Sequence, residues 1–387
     1  MIFNKDLDQI SETDLQELID NNVEESLILD YKGELTSNKE IAKDVSSMAN
    51  AKGGFLIYGI GEDEHKRATK LLGIEAKGGK EKIDNIVLST IQPRLEINIQ
   101  PVHLQADPTK TTLVLRIPES SRAPHMVTIE HDNRYYKRRN FQALVMEESE
   151  VRELYGRMAD MSKKVDDILA SKGNGLLDPN KNGEPWSSVL ICPTVLQDDL
   201  VKVDQPTVQF LRAQKGLHEA DIDYFWTEIQ PSIEGLECVR YEPNSGNFWR
   251  IFEINRNGCL QMARVLPSYP EERKLYSLPL AIQSVNALRI ASKLFDRVGY
   301  LGNVKIILGV SNISKFELEG NPAVPRPLGS NQLKRRSLQV AIERYSGILF
   351  SQTEIIAKDM MDYIYNGFGR LESDLFGKDG KLIVPRF

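Results

Sequence analysis

The chain has 387 residues, of which 41% are hydrophobic and 27% are charged, and its formal net charge is −6. That length allows two domains with separate cores, and that composition is ordinary for a globular protein, which excludes wholesale disorder. The acidic balance excludes a polycation that coats nucleic acid through bulk charge, but it leaves room for a local basic groove.

Neither a membrane span nor a signal peptide is expected. The apolar runs are strand-sized, far below the roughly 20 residues of a transmembrane helix. Residues 1–6 lack the basic and apolar regions of a signal peptide. The three cysteines, at 192, 238 and 259, form no metal-type pair and are too few for a disulfide framework. We therefore predict a cytoplasmic protein in a reducing compartment, with no membrane partner.

Hydrophobic periodicity in the first 160 residues predicts a mixture of helices and strands. The order of strand, helix, strand, helix and then several strands favours an α+β fold over a doubly wound sheet. Helices are predicted at 11–20, 38–51 and 79–91 and from Met146 onward. Strands are predicted at 27–31, 55–60, 95–104, 111–117 and 134–139.

A segment rich in Gly, Asn and Pro at 171–187 indicates a domain boundary. We therefore predict a first domain at 1–160, a helix end and linker at 161–187, and an α/β domain at 188–387. The elements predicted in that last domain are strands at 188–194, 236–241, 247–254, 258–265 and 303–309, and helices at 279–298 and 353–367. No motif there indicates chemistry.

A carboxylate and an ammonium group lie two residues apart at the first predicted strand. Because such residues share one face of a strand, Asp30 and Lys32 are expected to project side by side. The pair suits phosphate chemistry, with the acid on a divalent metal and the lysine on a phosphate oxygen. The alternative is a solvated ion pair at a strand edge, worth under about 1 kcal/mol.

Acidic residues follow the strand predicted at 55–60, which is apolar on both faces. Gly-Ile-Gly then delivers Glu62 and Asp63 to a sheet edge, a common place for a metal ion. The alternative is a glycine-rich turn before a solvated acidic loop. A nucleotide-binding phosphate loop is excluded because no Gly-Lys-Ser/Thr follows.

Residues 134–139 combine four cations with two tyrosines. Guanidinium and ammonium groups bind phosphates, and aromatic rings stack on unpaired bases. The alternative is an exposed strand whose tyrosines pack inward and whose cations are solvated. The predicted nucleic-acid-binding residues, in this strand and before it, are Arg116, Arg122, His125, Arg134, Tyr136, Lys137, Arg138 and Arg139.

These segments, taken in order, resemble the core domain of the Schlafen family, the AlbA-type domain. The shared pattern starts with Glu-Ser-x4-Tyr-Lys at 25–32 and continues with Ala-Asn-Ala-Lys-Gly-Gly at 49–54. It goes on through an apolar strand, Ile91-Gln92-Pro93, Pro124-His125, Tyr135-Tyr136-Lys137-Arg138, and Met146 with Glu150. The resemblance covers about 15–155 and implies an α+β domain with a mixed sheet and flanking helices.

Family members that act as ribonucleases use three acids around a divalent metal. The resemblance assigns these to Glu25, Asp30 and Glu62, with Asp63 as a one-residue alternative to Glu62. This chain has Asp at 30 where the family has Glu, and Glu at 62 where the family has Asp, and both changes keep the charge. An offset of five is odd along a strand, so Glu25 must precede the strand, or a bulge must intervene, to share a pocket with Asp30.

The resemblance leads to the hypothesis of a metal-dependent endoribonuclease that cleaves structured RNA such as tRNA, as a toxin or antiviral defence effector. Glu25, Asp30 and Glu62 would hold Mg²⁺ or Mn²⁺, while Lys32 neutralises developing charge. The alternative is a non-catalytic DNA- or RNA-binding regulatory module with the same fold. An ATP-binding role is disfavoured because no Walker-type loop exists.

The second half is assigned a role only by analogy. Stand-alone relatives with an added α/β half suggest sensing or homodimerisation for 188–387. The helix predicted at 279–298 is apolar over much of its circumference, so it is either core or a partner surface. The cationic cluster at 334–336 favours a solvated face over a nucleic-acid site.

Overall fold

The computed structural model describes most of the chain in two compact units. The residues described are 2–3, 7–129, 132–175, 184–214, 229–241, 248–269, 271–319 and 335–383. Unit 1 comprises Met1–Lys163 and Gly299–Asn303, and unit 2 comprises Lys164–Val298 and Val304–Phe387. Within the described ranges, no helix has both the length and the apolar character that crossing a membrane requires.

Unit 1 is an α+β domain, as predicted, and its helices begin and end within two residues of the predicted bounds. They are α1 (Glu12–Asp20), α2 (Asn38–Ala49), α3 (Gly79–Thr90) and the start of α4 (Glu148–Gly175). The strands are β1 (Leu29–Lys32), β2 (Gly54–Tyr58), β3 (Ile60–Glu62), β4 (Ala68–Leu71), β5 (Ile74–Glu75), β6 (Ile91–Gln92), β7 (Asn98–His103), β8 (Lys110–Ile117), β9 (Met126–Ile129), β10 (Asp132–Arg139) and β11 (Gln142–Val145).

Two sheets and a hairpin organise these strands. The first sheet is mixed, with the order β1-β2-β8-β5 and with β7 also paired to β8. Its β1 and β2 run parallel, and its other pairs are antiparallel. The second sheet is antiparallel, with the order β11-β10-β9-β6. Strands β3 and β4 form a separate hairpin after β2.

Both faces of the mixed sheet are buried, so alternate residues of β1 and β2 enter different cores. Tyr31 packs in the core that includes α1, whereas Leu56 and Tyr58 pack with α2 and α3. Asp30 is in register with Leu56, and Lys32 with Tyr58. Asp30 and Lys32 therefore lie on the face that α2 covers, as the alternation predicts.

The first strand starts two residues later than predicted, because Leu27 and Ile28 form a turn. Ser26 N donates to Leu29 O at 2.9 Å, and β1 begins only at Leu29. Glu25 consequently precedes the strand, which is one of the two arrangements that its odd spacing from Asp30 requires.

The two glycines after α2 are required by the backbone. Gly53 has φ +66° and Gly54 has φ +142°, a region that side-chain-bearing residues rarely adopt. A Cβ on Gly54 would also lie 2.4 Å from Ile28 O. The absence of side chains thus lets β2 pass directly beside the turn that precedes β1.

Asn50, the C-cap residue of α2, ties the helix to the second sheet. Its Nδ2 donates to Tyr136 O at 2.9 Å and to His125 O at 3.0 Å. Its Oδ1 accepts from His125 N at 2.6 Å. Because α2 also covers Asp30 and Lys32, this one side chain helps to fix the second sheet relative to β1.

Unit 2 contains a seven-stranded sheet, a three-stranded sheet and several helices. The larger sheet has the order β13-β14-β15-β16-β12-β19-β21, and the smaller has the order β17-β18-β20. Among its described residues, the α-helices after the end of α4 are α5 (Gln205–Arg212), α6 (Leu278–Val298) and α7 (Thr353–Gly367). Its strands are β12 (Trp186–Pro193), β13 (Gln230–Pro231), β14 (Gly235–Tyr241), β15 (Phe248–Asn255), β16 (Leu260–Val265), β17 (Ser268–Tyr269), β18 (Lys274–Tyr276), β19 (Asn303–Ser311), β20 (Glu317–Glu319) and β21 (Ser337–Tyr345).

Helix α6 belongs to the core of unit 2, the first of the two interpretations that its apolar pattern allows. Most of its residues are buried. Its Gln283 accepts from Ser187 Oγ at 2.6 Å and donates to Met262 O at 2.6 Å, which fastens the helix to β12 and β16. The predicted cationic cluster at 334–336 lies only partly within the described residues, because Lys334 falls outside them.

The cysteines differ from expectation. Cys192 and Cys259 form a disulfide in unit 2, although the sequence analysis expects no disulfide framework. Strands β12 and β16 are antiparallel neighbours with Ile191 opposite Leu260, so the residues next to that pair are brought together. Residues distant in sequence pair through this register, which cysteine spacing alone does not reveal.

We predict that Asn50→Asp destabilises the protein by about 3 kcal/mol or more. The change keeps the shape but removes two donated hydrogen bonds and sets a negative charge against buried carbonyl oxygens. The measurement is the unfolding free energy by denaturant titration. Asn85→Asp, at an exposed position of α3, is the matched control. An equal loss in both variants would contradict the role of Asn50 in fixing α2 to the second sheet.

Candidate functional site

Charged side chains from separate elements of unit 1 converge beside β1. Glu25 lies before the strand, Asp30 and Lys32 lie on it, Glu62 ends β3, and Arg138 comes from β10. Asp30 is 1% exposed and Glu25 is 6% exposed. The three acids predicted from the sequence are therefore brought together, mostly out of contact with solvent.

Glu25 lies between the other two acids. Its carboxyl group is within hydrogen-bonding contact of both Glu62 and Asp30, and its Oε1 accepts from Tyr31 N at 2.9 Å. Burial, followed by the neighbouring Glu62 and Asp30, raises the pKa of Glu25 to about 9. A pKa of about 9 favours the protonated form of Glu25 at neutral pH.

The β3–β4 hairpin delivers Glu62 to this cluster. Glu25 N donates to Lys66 O at 2.8 Å, and the backbones of Glu24 and Arg67 form an isolated antiparallel β-bridge. Lys66 also makes an ion pair with Glu62. Glu62 Oε2 is buried and has no donor among the described residues, so a proton on Glu25 or a bound cation can satisfy it.

Asp63, the alternative third acid, lies in the hairpin turn. Its Oδ1 accepts from His65 N at 2.8 Å and from Arg67 N at 2.9 Å. The hydrogen bond from the Arg67 backbone, above all, lowers the pKa of Asp63. The side chain is committed to the turn, so the geometry favours Glu62.

Both oxygens of Asp30 are held by cations. Lys32 Nζ lies 2.5 Å from Oδ1, and Arg138 Nη1 lies 2.8 Å from Oδ2. Burial alone would raise the pKa of Asp30, but the charges of Lys32 and Arg138 outweigh it and hold that pKa below its ordinary value. Arg138, whose side chain is 0% exposed, also donates to Ser26 O at 3.2 Å and to Leu29 O at 3.3 Å.

The carboxylates of the acid cluster are suitable ligands for a divalent cation. Both oxygens of Asp30, however, are already in ion pairs with Lys32 and Arg138. Carboxylate oxygens are the ligands that Mg²⁺ and Mn²⁺ prefer, and a cation would satisfy Glu62 Oε2 and replace the Glu25 proton. However, no three His, Cys, Asp or Glu side chains in the described part of the chain have the arrangement of a metal site. A cation at Asp30 requires Lys32 or Arg138 to move.

The predicted nucleic-acid-binding residues of β10 differ in their burial. Tyr136 and Arg138 are buried, and Tyr136 lies in the core beneath α2, where it offers no stacking face. Arg134 and Arg139 are exposed, whereas Lys137 is half-buried in an ion pair with Glu150. The basic strand therefore presents only part of its charge to solvent.

The accessible tyrosine of β10 is Tyr135, which is not among the predicted nucleic-acid-binding residues. Its ring meets Tyr155 of α4 edge-on, with centroids 6.3 Å apart and hydroxyl oxygens 3.1 Å apart. Tyr155 is 49% exposed. Strand parity was the available signal, because Tyr135 has the opposite parity to Tyr136 and Arg138.

Two further predicted contacts, Arg116 and His125, lie inside the domain. Arg116 is 7% exposed, and its guanidinium carbon is 5.9 Å from the centre of the Phe55 ring. His125 Nδ1 donates to Pro93 O at 2.7 Å, and its Nε2 accepts from Ser120 Oγ at 2.7 Å.

Burial, and then the charge of Arg122, lower the pKa of His125 to about 4. His125 is therefore neutral at physiological pH and cannot offer a positive charge to a phosphate. Arg122 itself is exposed. Of the three residues predicted to extend the basic patch, only Arg122 is at the surface.

Asp44 of α2 lies beside the acid cluster but is not among the residues predicted from the sequence. It is 6% exposed, and its Oδ2 is buried without a hydrogen-bond partner among the described residues. Burial, followed by the charge of Asp30, raises the pKa of Asp44 to about 6. The signal was helical spacing, because Ile41, Asp44 and Met48 fall on one buried stripe.

We predict that the unfolding free energy falls as pH rises between 4.5 and 9, because folded Glu25 keeps a proton that the unfolded chain releases. One such proton gives a slope of up to about 1.4 kcal/mol per pH unit. Glu25→Gln mimics the protonated acid and should flatten this part of the profile. Denaturant titrations at pH 6.5 and pH 8.5 measure the effect, with exposed Glu24→Gln as control. A Glu25→Gln profile parallel to that of wild type would refute a retained proton.

We predict that Arg138→Met lowers the unfolding free energy by about 3 kcal/mol, because it leaves Oδ2 of the buried Asp30 carboxylate without its ion-pair partner and only Lys32 to balance its charge. Arg139→Met, the same change at the next and exposed position, should cost less than about 0.5 kcal/mol. Denaturant titration of both variants at one pH measures the difference. Similar losses would mean that the Asp30–Arg138 pair does not stabilise the fold.

Comparisons with known proteins identify the domain that holds this site. The family model described as Schlafen, AlbA_2 matches residues 25–147. None of the curated proteins matches the chain.

A solved structure that matches is the DIP2311 protein of Corynebacterium diphtheriae, at 12% identity and a TM-score of 0.25. The match covers 92% of this chain and 61% of that one; a TM-score so low supports no argument about fold. The family model alone indicates a nucleic-acid-related function. Residues 25–147 therefore form a domain that matches the Schlafen, AlbA_2 family model.

Proposed function

We propose that unit 1 is a metal-dependent endoribonuclease that cleaves structured RNA such as tRNA. One observation carries this proposal: the carboxyl groups of Glu25, Asp30 and Glu62 meet in one buried cluster, in contact through Glu25. Such closely packed acids are expensive to keep together without a cation. Their position within a Schlafen AlbA_2 domain supports a nucleic acid as the substrate.

Glu25, Asp30 and Glu62 are the residues that would hold Mg²⁺ or Mn²⁺. When bound, the ion supplies Lewis-acid activation of the scissile phosphate and lowers the pKa of an attacking water. The residues of the chain would orient the substrate and neutralise the negative charge that develops on its phosphate. Lys32 keeps its positive charge, because the adjacent Asp30 carboxylate outweighs burial and raises the pKa of the ammonium group. It is thus able to face a phosphate oxygen.

The exposed cations of β10 support substrate binding. Arg134 and Arg139 lie on the same strand as Arg138, the buried arginine that contacts the acid cluster. Phosphates bound by the exposed arginines would therefore lie near the site, and Tyr135 with Tyr155 offers aromatic edges for an unpaired base. Arg138, predicted from the sequence to bind nucleic acid, instead positions Asp30.

A second candidate is a regulatory module that binds DNA or RNA without cleaving it. The two ion pairs of Asp30 favour this function, since both of its oxygens are already neutralised by Lys32 and Arg138. In that case the acid cluster serves stability, and only the exposed cations contact nucleic acid.

Cleavage of end-labelled tRNA by the full chain separates these functions. With Mn²⁺, wild type should cleave the RNA, and EDTA should abolish cleavage. Glu62→Gln should lower the rate at least about 100-fold, while a gel-shift assay shows unchanged RNA binding. Glu64→Gln, two residues away and 89% exposed, should retain wild-type activity.

A DNA hairpin of equal length tests the preference for RNA. Tight RNA binding by wild type with no cleavage in Mg²⁺ or Mn²⁺ would leave the regulatory module as the function. Cleavage that survives Glu62→Gln would place the reaction outside the proposed acid cluster.

A further inference from the structure

Asp44 is a buried acid beside the cluster that the proposed function does not use. Helix α2 covers the face of the sheet on which Asp30 and Lys32 lie, and Asp44 belongs to the buried stripe of that helix. It interacts electrostatically with both Lys32 and Asp30. A fourth acid is therefore within the electrostatic environment of the same lysine.

The carboxyl group of Asp44 lacks the partner that burial normally demands. Its Oδ2 is out of contact with solvent and accepts no hydrogen bond from the described residues. Burying a polar atom without a hydrogen bond destabilises the folded state. This acceptor, within electrostatic range of Lys32, is thus available to a donor that reaches it in another state of the site.

Lys32 is the donor most able to move. Its side chain is 26% exposed and ends in a single point charge on a flexible stem. Arg138, by contrast, is 0% exposed and bound to Asp30 and to two backbone carbonyl oxygens. A divalent cation held by Asp30 would repel both cations, and of the two only Lys32 is exposed enough to move away.

We propose that Asp44 is a positioning residue that receives the Lys32 ammonium group when Asp30 binds a divalent cation. The proposal rests on the metal site of the proposed function and adds a residue that would receive Lys32 when Asp30 binds the cation. Transfer of Lys32 from Asp30 to Asp44 frees Oδ1 of Asp30 for the cation, satisfies Oδ2 of Asp44, and keeps the lysine charge near the phosphate site.

The first test measures Mn²⁺ affinity by calorimetry on the full chain. Asp44→Asn should weaken Mn²⁺ binding about tenfold when Lys32 is present and should have no effect in a Lys32→Met background, because the two residues act as a coupled pair. Asp44→Glu, which keeps the acceptor, should restore most of the affinity. Unchanged affinity in Asp44→Asn, or equal weakening in both backgrounds, overturns the proposal.

A second test needs no metal and so separates this proposal from the proposed function. Acetylation of Lys32 by an amine-reactive ester, measured by peptide mass spectrometry, reports whether its amine is engaged. Asp30→Asn should leave Lys32 protected, and the Asp30→Asn/Asp44→Asn variant should increase its acetylation several-fold. Exposed Lys80 is the internal reference.

The two tests give distinguishable failures. Equal acetylation of Lys32 in the single and double variants shows that Asp44 does not receive the lysine, whatever the protein does with metals. If wild type binds no Mn²⁺ but the acetylation pattern holds, the metal-dependent function fails while the exchange of Lys32 between the two acids stands.

Discussion

A buried ion pair between Asp30 and Arg138 joins the two sheets of unit 1. Taking both charges out of water is costly, and the cost is offset only because Arg138 also donates to backbone carbonyls and Lys32 takes the second carboxylate oxygen. This pair also influences the charge state of the remaining acids of the cluster. With Asp30 held ionised, Glu25 retains a proton, and Lys66 balances Glu62 from the hairpin.

Much of the fold was predictable because its elements carry strong local signals. Helix α2 was located by its apolar stripe and by the glycines that follow it, and the buried strand β2 by its unbroken apolar run. Shorter elements such as β5, and α5 with only eight residues, lack enough periodicity to be recognised. The disulfide was also missed, since it depends on which strands become neighbours.

The candidate site was predictable in its parts but not in its charge pairing. Spacing placed Asp30 and Lys32 on one face, and the family pattern supplied Glu25 and Glu62. Local sequence could not show that Arg138, one cation among four in its strand, turns inward to a carboxylate 108 positions earlier in the chain. Such long-range pairing is set by the packing of one sheet against another, which no short motif encodes.

The inward turn of Arg138 has a consequence for how this domain would hold nucleic acid. With that guanidinium committed to Asp30 and Lys137 paired with Glu150, few cations of β10 remain to displace condensed counterions. Each phosphate neutralised contributes a slope of only about 0.7 to 0.9 to the salt dependence of binding. The proposed recognition of nucleic acid by this strand would therefore depend more on the shape of the ligand than on charge density.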